Sequence, residues 1–440
     1  MQNQGIRDAR SLGTPKLLVL GLQHMFAMFG ATVLVPALTG LSVSATLLFA
    51  GLGTLFFHFL TKGKVPAFLG SSFAYLAGYA AIAPNGEAAL LPYACVGVAA
   101  SGLLYLILAA LVRGFGANRV MRFFPPVVTG PIIICIGMTL ANSAINNCTG
   151  SWDIALVAIL TVVIFNIWGK GMLRIIPILL GVLVSYVYAA VTGRVDFSGV
   201  ASAAWIGLPV KMENTVFSLI GNCDANLLVT AIIAIMPIAF ATMIEHIGDI
   251  CAISSTVGAN FIADPGLHRT LLGDGLATSI ASLFGAPANT TYGENTGVLA
   301  LSKIYDPLVI RIAAVLAIIL SFSPKFEAVI NTIPTGIIGG ISFVLYGMIS
   351  AIGVRNVVEN RVDFTNSRNL IVAAVILVCA LGFNSVGGVS FAVAGVTINL
   401  SGLAVAAIAG ILLNAILPGN DYEFDAADGS EAATSSNLQV

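Results

Sequence analysis

The chain has 440 residues, 58% hydrophobic and 9% charged, with a net charge of -1 and a mean hydropathy of +0.98, whereas soluble domains carry about 25% charged residues. This composition excludes a soluble globular protein, and the near-neutral charge gives no electrostatic footing for nucleic acid. Apolar runs of about 17 to 25 residues recur from Lys16 to Pro418, so the chain reads as an all-α integral membrane protein set in a lipid bilayer, not a barrel.

In chain order, residues 1–15 form an N-terminal segment. The first apolar run, LLVLGLQHMFAMFGATVLVPAL, lacks a convincing small-residue cleavage site and is expected to stay as a helix. Hydropathy, with Gly, Pro and charged breaks, places segments near 16–38, 43–61, 71–83, 91–112, 125–145, 153–169 and 173–193. A polar connector at 194–225 precedes segments near 226–248, 269–286, 293–302, 307–323, 327–350, 369–384 and 388–417. Residues 418–440 are acidic, poor in apolar side chains, and read as a disordered tail. With the N-terminus inside, 16 of the 19 Lys and Arg residues fall on or near the cytoplasmic side, leaving Arg194, Lys211 and Lys325 outside. The expectation is a multi-pass protein of the cytoplasmic membrane with both termini in the cytoplasm.

Fourteen transmembrane segments, seven in 16–193 and seven in 226–417, set the two halves in opposite orientations, the 7+7 inverted repeat common in secondary transporters. Two echoes share one offset: PAFLGSSFA from Pro66 with PANTTYGEN from Pro287, and His24 with Glu245, each 221 positions apart. The third and tenth segments are too short to span alone, and each is expected to follow a short extended strand. Helices interrupted at matching places can turn unpaired backbone N–H groups toward a ligand instead of lipid. The binding site is therefore expected between Ser72 and Phe73 on one side and Gly293 and Glu294 on the other.

Ionisable groups deep in a bilayer cost about 2.5 to 3.5 kcal/mol on insertion scales and usually face a cavity or a partner. Glu245 and Asp249, in MPIAFATMIEHIGDI, stand at i,i+4 on one helical face, with His246 turned about 100° away. The plainer alternative puts both acids in the headgroup region beyond a span ending near Thr242. Glu294 could serve only the helix dipole, and His24 is as consistent with a hydrogen-bonded core residue as with a gating one. His58 and His268 read as interface residues, and Asp274 as structural.

A metal site from Glu245, His246 and Asp249 has weak support, because a helix splays the first two apart. No HExxH, GxSxG or Walker pattern points to an enzyme, and no cofactor is expected beyond a coupling proton. The six cysteines lack paired spacing; Cys148 and Cys223 fall in polar loops, where a disulfide stays open. Two carboxylates beside two helix N-termini suit a small, planar, neutral ligand with N–H donors and carbonyl acceptors. Two acids in one dry site cannot both ionise cheaply, so one could carry a proton with the substrate.

The ordered run LQHMFAMFGATVLVP, KGKVPAFLGSSFAY, EHIGD, DPGLHRTLLGDGLAT and NTTYGENTGVLALSK resembles the nucleobase/ascorbate transporter family, most closely its bacterial uracil-carrying branch, over residues 15–417. The resemblance implies a core domain of segments 1–4 and 8–11 moving against a gate domain of segments 5–7 and 12–14. It also implies a homodimer and proton symport of a nucleobase, uracil ahead of xanthine or another purine. By the same resemblance Glu245 and Glu294 are substrate carboxylates, and the backbone amides of Phe73 and Gly293 meet the base carbonyls. Ser72 and Tyr292 would neighbour the site, Tyr346 would face it from the gate, and His24 would take part in conformational coupling. Asn295, Gly297, Ser302 and Lys303 match the signature that begins at Glu294, with Ser302 standing where Thr is usual. Glu294 is the uracil-type residue, whereas Asp249 stands where purine-type members often have Asp; this leaves the proton-coupling group open. The same architecture hosts anion exchangers and channels, which would be expected to present basic or neutral groups, not two acids, at the facing helix ends.

Overall fold

Pro15 in the first turn and Gly40, left-handed at φ 81° just past the end, bracket the first helix, α1 (Thr14–Thr39). The computed structural model describes residues 5–393 and 396–419, without the side chains of residues 175, 294 and 392–398. Ser42 accepts from the Ala45 amide and caps α2 (Val43–Leu60). The strand β1 (Leu69–Ser71) and one 3-10 turn (Phe73–Tyr75) lead into α3 (Leu76–Ile82), followed by α4 (Leu91–Phe115) and α5 (Ala117–Met121). Next come α6 (Pro126–Thr139), α7 (Ala141–Cys148), α8 (Trp152–Trp168), α9 (Met172–Ile175) and α10 (Pro177–Val191).

The connector holds α11 (Ser198–Ser202) and two 3-10 turns. After it, α12 (Ala225–Ile235) and α13 (Ala239–Val257) are joined through a turn at Pro237. Then come α14 (Leu267–Leu283), β2 (Asn289–Thr291), α15 (Gly293–Ser302), α16 (Pro307–Ser321) and α17 (Pro324–Asn331). The chain closes with α18 (Thr335–Glu359), α19 (Ser367–Ser385), β3 (Val389–Val393), β4 (Val396–Leu400) and α20 (Gly402–Ile416). Among the described residues seven helical spans are long and apolar enough to cross a membrane, or eight if α16 and α17, bent by 87°, count as one.

Three sequence expectations change, and one open question closes. The run at 388–417 is not one helix: its first part is an antiparallel hairpin, with Val389 opposite Leu400 and Val393 opposite Val396, and only α20 is helical. VSFAV and VTINL are rich in β-branched and aromatic residues, and hydropathy averaging hid that strand signal. The segment at 327–350 divides, because Pro324 and Pro334 each start a helix; α17 turns away from α16, and the long span begins at Thr335. Cys148 is buried at the end of α7 and Cys223 is exposed; both are free thiols. The connector is less polar than expected, with Trp205 and Ile206 exposed and Lys325 Nζ 4.6 Å above the Trp205 ring. The predicted tail from residue 420 onward, and residues 1–4, lie outside the described residues.

Two groups of helices result. In one, α4 lies against α14, α2 against α16, α1 against α16, and α12 against α4. In the other, α18 packs on α6, α7 and α8, while α19 packs on α20 and α10 on α8. Small residues permit the closest approach, as in membrane helix packing generally. A Cβ added to Gly102 of α4 would collide with the Gly275 carbonyl of α14.

Candidate functional site

Non-helical backbone inside an apolar bundle must be paired by protein, because lipid offers no hydrogen bonds. Here β1 and β2 pair with each other, Leu69 opposite Thr291, Gly70 opposite Thr290 and Ser71 opposite Asn289, and all are buried. The ribbon is prolonged at both ends, where Ser72 N donates to Ala288 O at 2.9 Å and Tyr292 N to Phe68 O at 3.0 Å. A threonine on each flanking helix holds one strand: Leu69 N donates to Thr54 Oγ1 at 2.9 Å, and Thr278 Oγ1 donates to Asn289 O at 2.7 Å. Gly70 is required by close approach, since a Cβ there would fall 2.5 Å from the Tyr292 ring. The Tyr292 hydroxyl donates to Ser71 O at 2.9 Å, which fixes that ring over the ribbon.

A helix starts at each end of the ribbon. One begins at Phe73 and the other at Gly293, and neither start has a side-chain cap. Uncapped N-termini keep orphan amides and the positive end of the helix dipole available to an acceptor. The Ser72 hydroxyl is buried with no hydrogen-bond partner among the described residues. In front of Gly293 a Cβ would meet, among the described residues, only Asp249 Oδ1, at 3.8 Å.

The helix α13 packs along α15 and carries the acids. It continues to Val257, so Glu245 and Asp249 sit within a span and not beyond its end. Both are half-buried, and Asp249 Oδ2 accepts from Thr291 Oγ1 at 2.8 Å. Glu294 is the second residue of α15; its side chain lies outside the described residues. Asn295 Nδ2 donates to His24 O at 3.2 Å and lies 3.2 Å from His24 Nδ1, which ties α15 to α1 through two buried residues. Tyr346, on α18, meets Phe73 edge-on with centroids 5.8 Å apart, and its buried hydroxyl has no partner among the described residues.

One pair escaped the sequence reading. His246 Nδ1 lies 3.2 Å from Asp274 Oδ2, both side chains fully buried, and Thr291 Oγ1 lies 3.5 Å from the same nitrogen. A polar chain thus runs from Asp249 through Thr291 and His246 to Asp274. The signal was available, since two lone ionisable groups on apolar helices should seek partners, but nothing in the sequence said that these two helix faces meet. His58 Nε2 lies 2.9 Å from Ala67 O and is buried, at a helix end as read. Among the described residues no group of three or more His, Cys, Asp or Glu is arranged to hold a metal.

The sequence profile described as the Permease family matches residues 15–412. The uracil permease of Bacillus caldolyticus is 42% identical over 425 residues, 94% of each chain. That of Bacillus subtilis is 40% identical over 432 residues, 94% of this chain and 95% of that one. That of Escherichia coli is 37% identical over 409 residues, 90% of each. Among solved structures, the transmembrane domain of a cyanobacterium bicarbonate transporter, BicA, superposes with TM-score 0.65 at 16% identity, covering 84% of this chain and 96% of that one. SLC26A9 gives TM-score 0.64 at 11% identity, covering 91% of this chain and 64% of that one. At these identities the structural likeness is one of fold.

Proposed function

We propose that this chain, which belongs to the nucleobase/ascorbate transporter family of permeases and so is a transporter and not an enzyme, imports uracil across the cytoplasmic membrane as a proton symporter. The observation that carries the reading is the pair of uncapped helix starts on one buried ribbon, flanked by the acid-bearing face of α13. Uracil is planar and neutral and alternates N–H donors with carbonyl acceptors. The amides at Phe73 and Gly293 would donate to its carbonyl oxygens, while Glu245 and Glu294 would accept from its ring N–H groups. Xanthine or another purine is the second reading, motivated by Asp249; the names of the relatives favour uracil. An anion exchanger or channel has only the likeness of fold behind it, and acids beside the helix starts would repel its substrate.

The 7+7 inverted repeat is supported by packing that survives exchange of the two halves. The contact of α2 with α16 maps onto that of α14 with α4, and α8 with α10 onto α19 with α20. In this reading α1 to α4 and α12 to α16 form the core domain, and α6 to α10 and α18 to α20 the gate, rocking around a fixed site. The core carries the acids; the gate meets it at Tyr346 and Phe73. The chain from Asp249 through Thr291 and His246 to Asp274 gives a proton somewhere to reside beside Glu245. A homodimer with both termini in the cytoplasm completes the proposal, on the strength of the family resemblance and the distribution of basic residues.

Labelled uracil uptake into proteoliposomes under an imposed inward proton gradient tests this directly. Accumulation that collapses with a protonophore and is competed by uracil but not by xanthine or bicarbonate is the expected result. Absence of uptake, indifference to the protonophore, or stronger competition by xanthine would overturn it.

A further inference from the structure

The seam between the two groups of helices is unequal at its two ends. At one end a cavity of about 440 Å³ opens between Leu104 and Leu111 of α4, Arg119 of α5, Phe123, Met243 of α13 and Ile411 of α20. At the other, among Gly30 of α1, Val182 of α10 and Ile338 of α18, the space is about 20 Å³. The larger volume falls within the range of about 300 to 1,000 Å³ typical of ligand pockets. Its lining is apolar apart from Arg119, whose exposed guanidinium makes no hydrogen bond or ion pair among the described residues. Arg113 and Arg122 stand close in sequence, and no Asp or Glu occurs between Glu87 and Asp153.

We propose that this cavity is a binding site for an anionic phospholipid, one acyl chain lying in the seam and the phosphate meeting Arg119. Charge complementarity selects the occupant. A second copy of the chain docking by the same face would bring the same arginines against one another, whereas a guanidinium fork matches phosphate geometry and basic groups at the ends of membrane helices attract anionic lipid. The acyl chain gains nothing by leaving water, since it begins in lipid. What it gains is dispersion contact with walls that would otherwise face a void. Those walls come from both helix groups, so the site is complete only when α20 stands against α13 as it does here.

The test is native mass spectrometry of the full-length protein released from detergent containing equal phosphatidylglycerol and phosphatidylcholine, with no substrate present. The outcome is therefore independent of whether uracil is the cargo. The wild type should retain phosphatidylglycerol over phosphatidylcholine by about five-fold, the effect of one basic residue near an anionic surface. Arg119→Gln should bring the ratio close to one while keeping acyl binding. Ile107→Trp, at an exposed wall residue and with folding checked by thermal melting, should lose both lipids. An unchanged preference in Arg119→Gln, undiminished retention in Ile107→Trp, or a wild type that carries no lipid or binds a second copy there would overturn the proposal.

Discussion

At the start of the first interrupted helix, Ser72 N donates to Ala288 O, and the Phe73 ring packs edge-on against Tyr346 of α18. At the start of the second, Tyr292 N donates to Phe68 O, while Thr291 holds Asp249 and Asn295 reaches His24. The backbone plan is the same twice: strand, uncapped start, short helix. The side chains divide the work. One start presents an aromatic ring to the opposing group of helices, and the other is wired into buried polar groups of its own group. Two equivalent dipoles could thus flank one ligand, while among the described residues the second end is the one linked to ionisable groups.

Removing the acid one helical turn before Asp249 on α13 should have the largest effect. Glu245→Ala is expected to weaken uracil binding by about ten- to hundred-fold, the scale of a lost hydrogen bond to a charged group. Equilibrium binding to purified protein measures it, and wild-type affinity would dissolve the proposed role of that acid. A smaller effect is expected from the link to α1. Asn295→Ala and His24→Ala should each slow uptake, and in thermal unfolding the double variant should depart from additivity by about 1 kcal/mol, because the two side chains share one contact. Additive losses would mean that the two act separately. The smallest effect belongs to the apolar start: Phe73→Leu should keep uracil affinity within about two- to ten-fold, the worth of one aromatic pair, while lowering the uptake rate. A larger loss of affinity than of rate would make Phe73 a ligand contact first and a contact with α18 second.

Much of this arrangement was legible in the chain. The paired stretches PAFLGSSFA and PANTTYGEN anticipated the ribbon, because Pro, Gly, Ser and Thr cannot sustain a helix through an apolar span without some other partner for the backbone. The i,i+4 spacing of Glu245 and Asp249 placed both on one face, and α13 keeps them there. The hairpin at Val389 to Leu400 was missed because a run of apolar residues reads alike as strand or helix when only hydropathy is averaged. The break between α17 and α18 was missed because a single residue, Pro334, decides it.

By itself the sequence determined the features that local chemistry dictates: a membrane-embedded chain, the order of its helices, the two interruptions and the few ionisable groups too costly to bury without purpose. Only the tertiary structure decided which of those groups meet. His246 finds Asp274 across two helices, Thr291 bridges toward Asp249, Phe73 touches Tyr346 of the opposite half of the chain, and a cavity opens at one end of the seam but not the other. The reason is that side-chain periodicity sets the direction a residue faces on its own helix, whereas the partner it meets depends on how whole helices cross, which small residues such as Gly102 and Gly275 settle by contact.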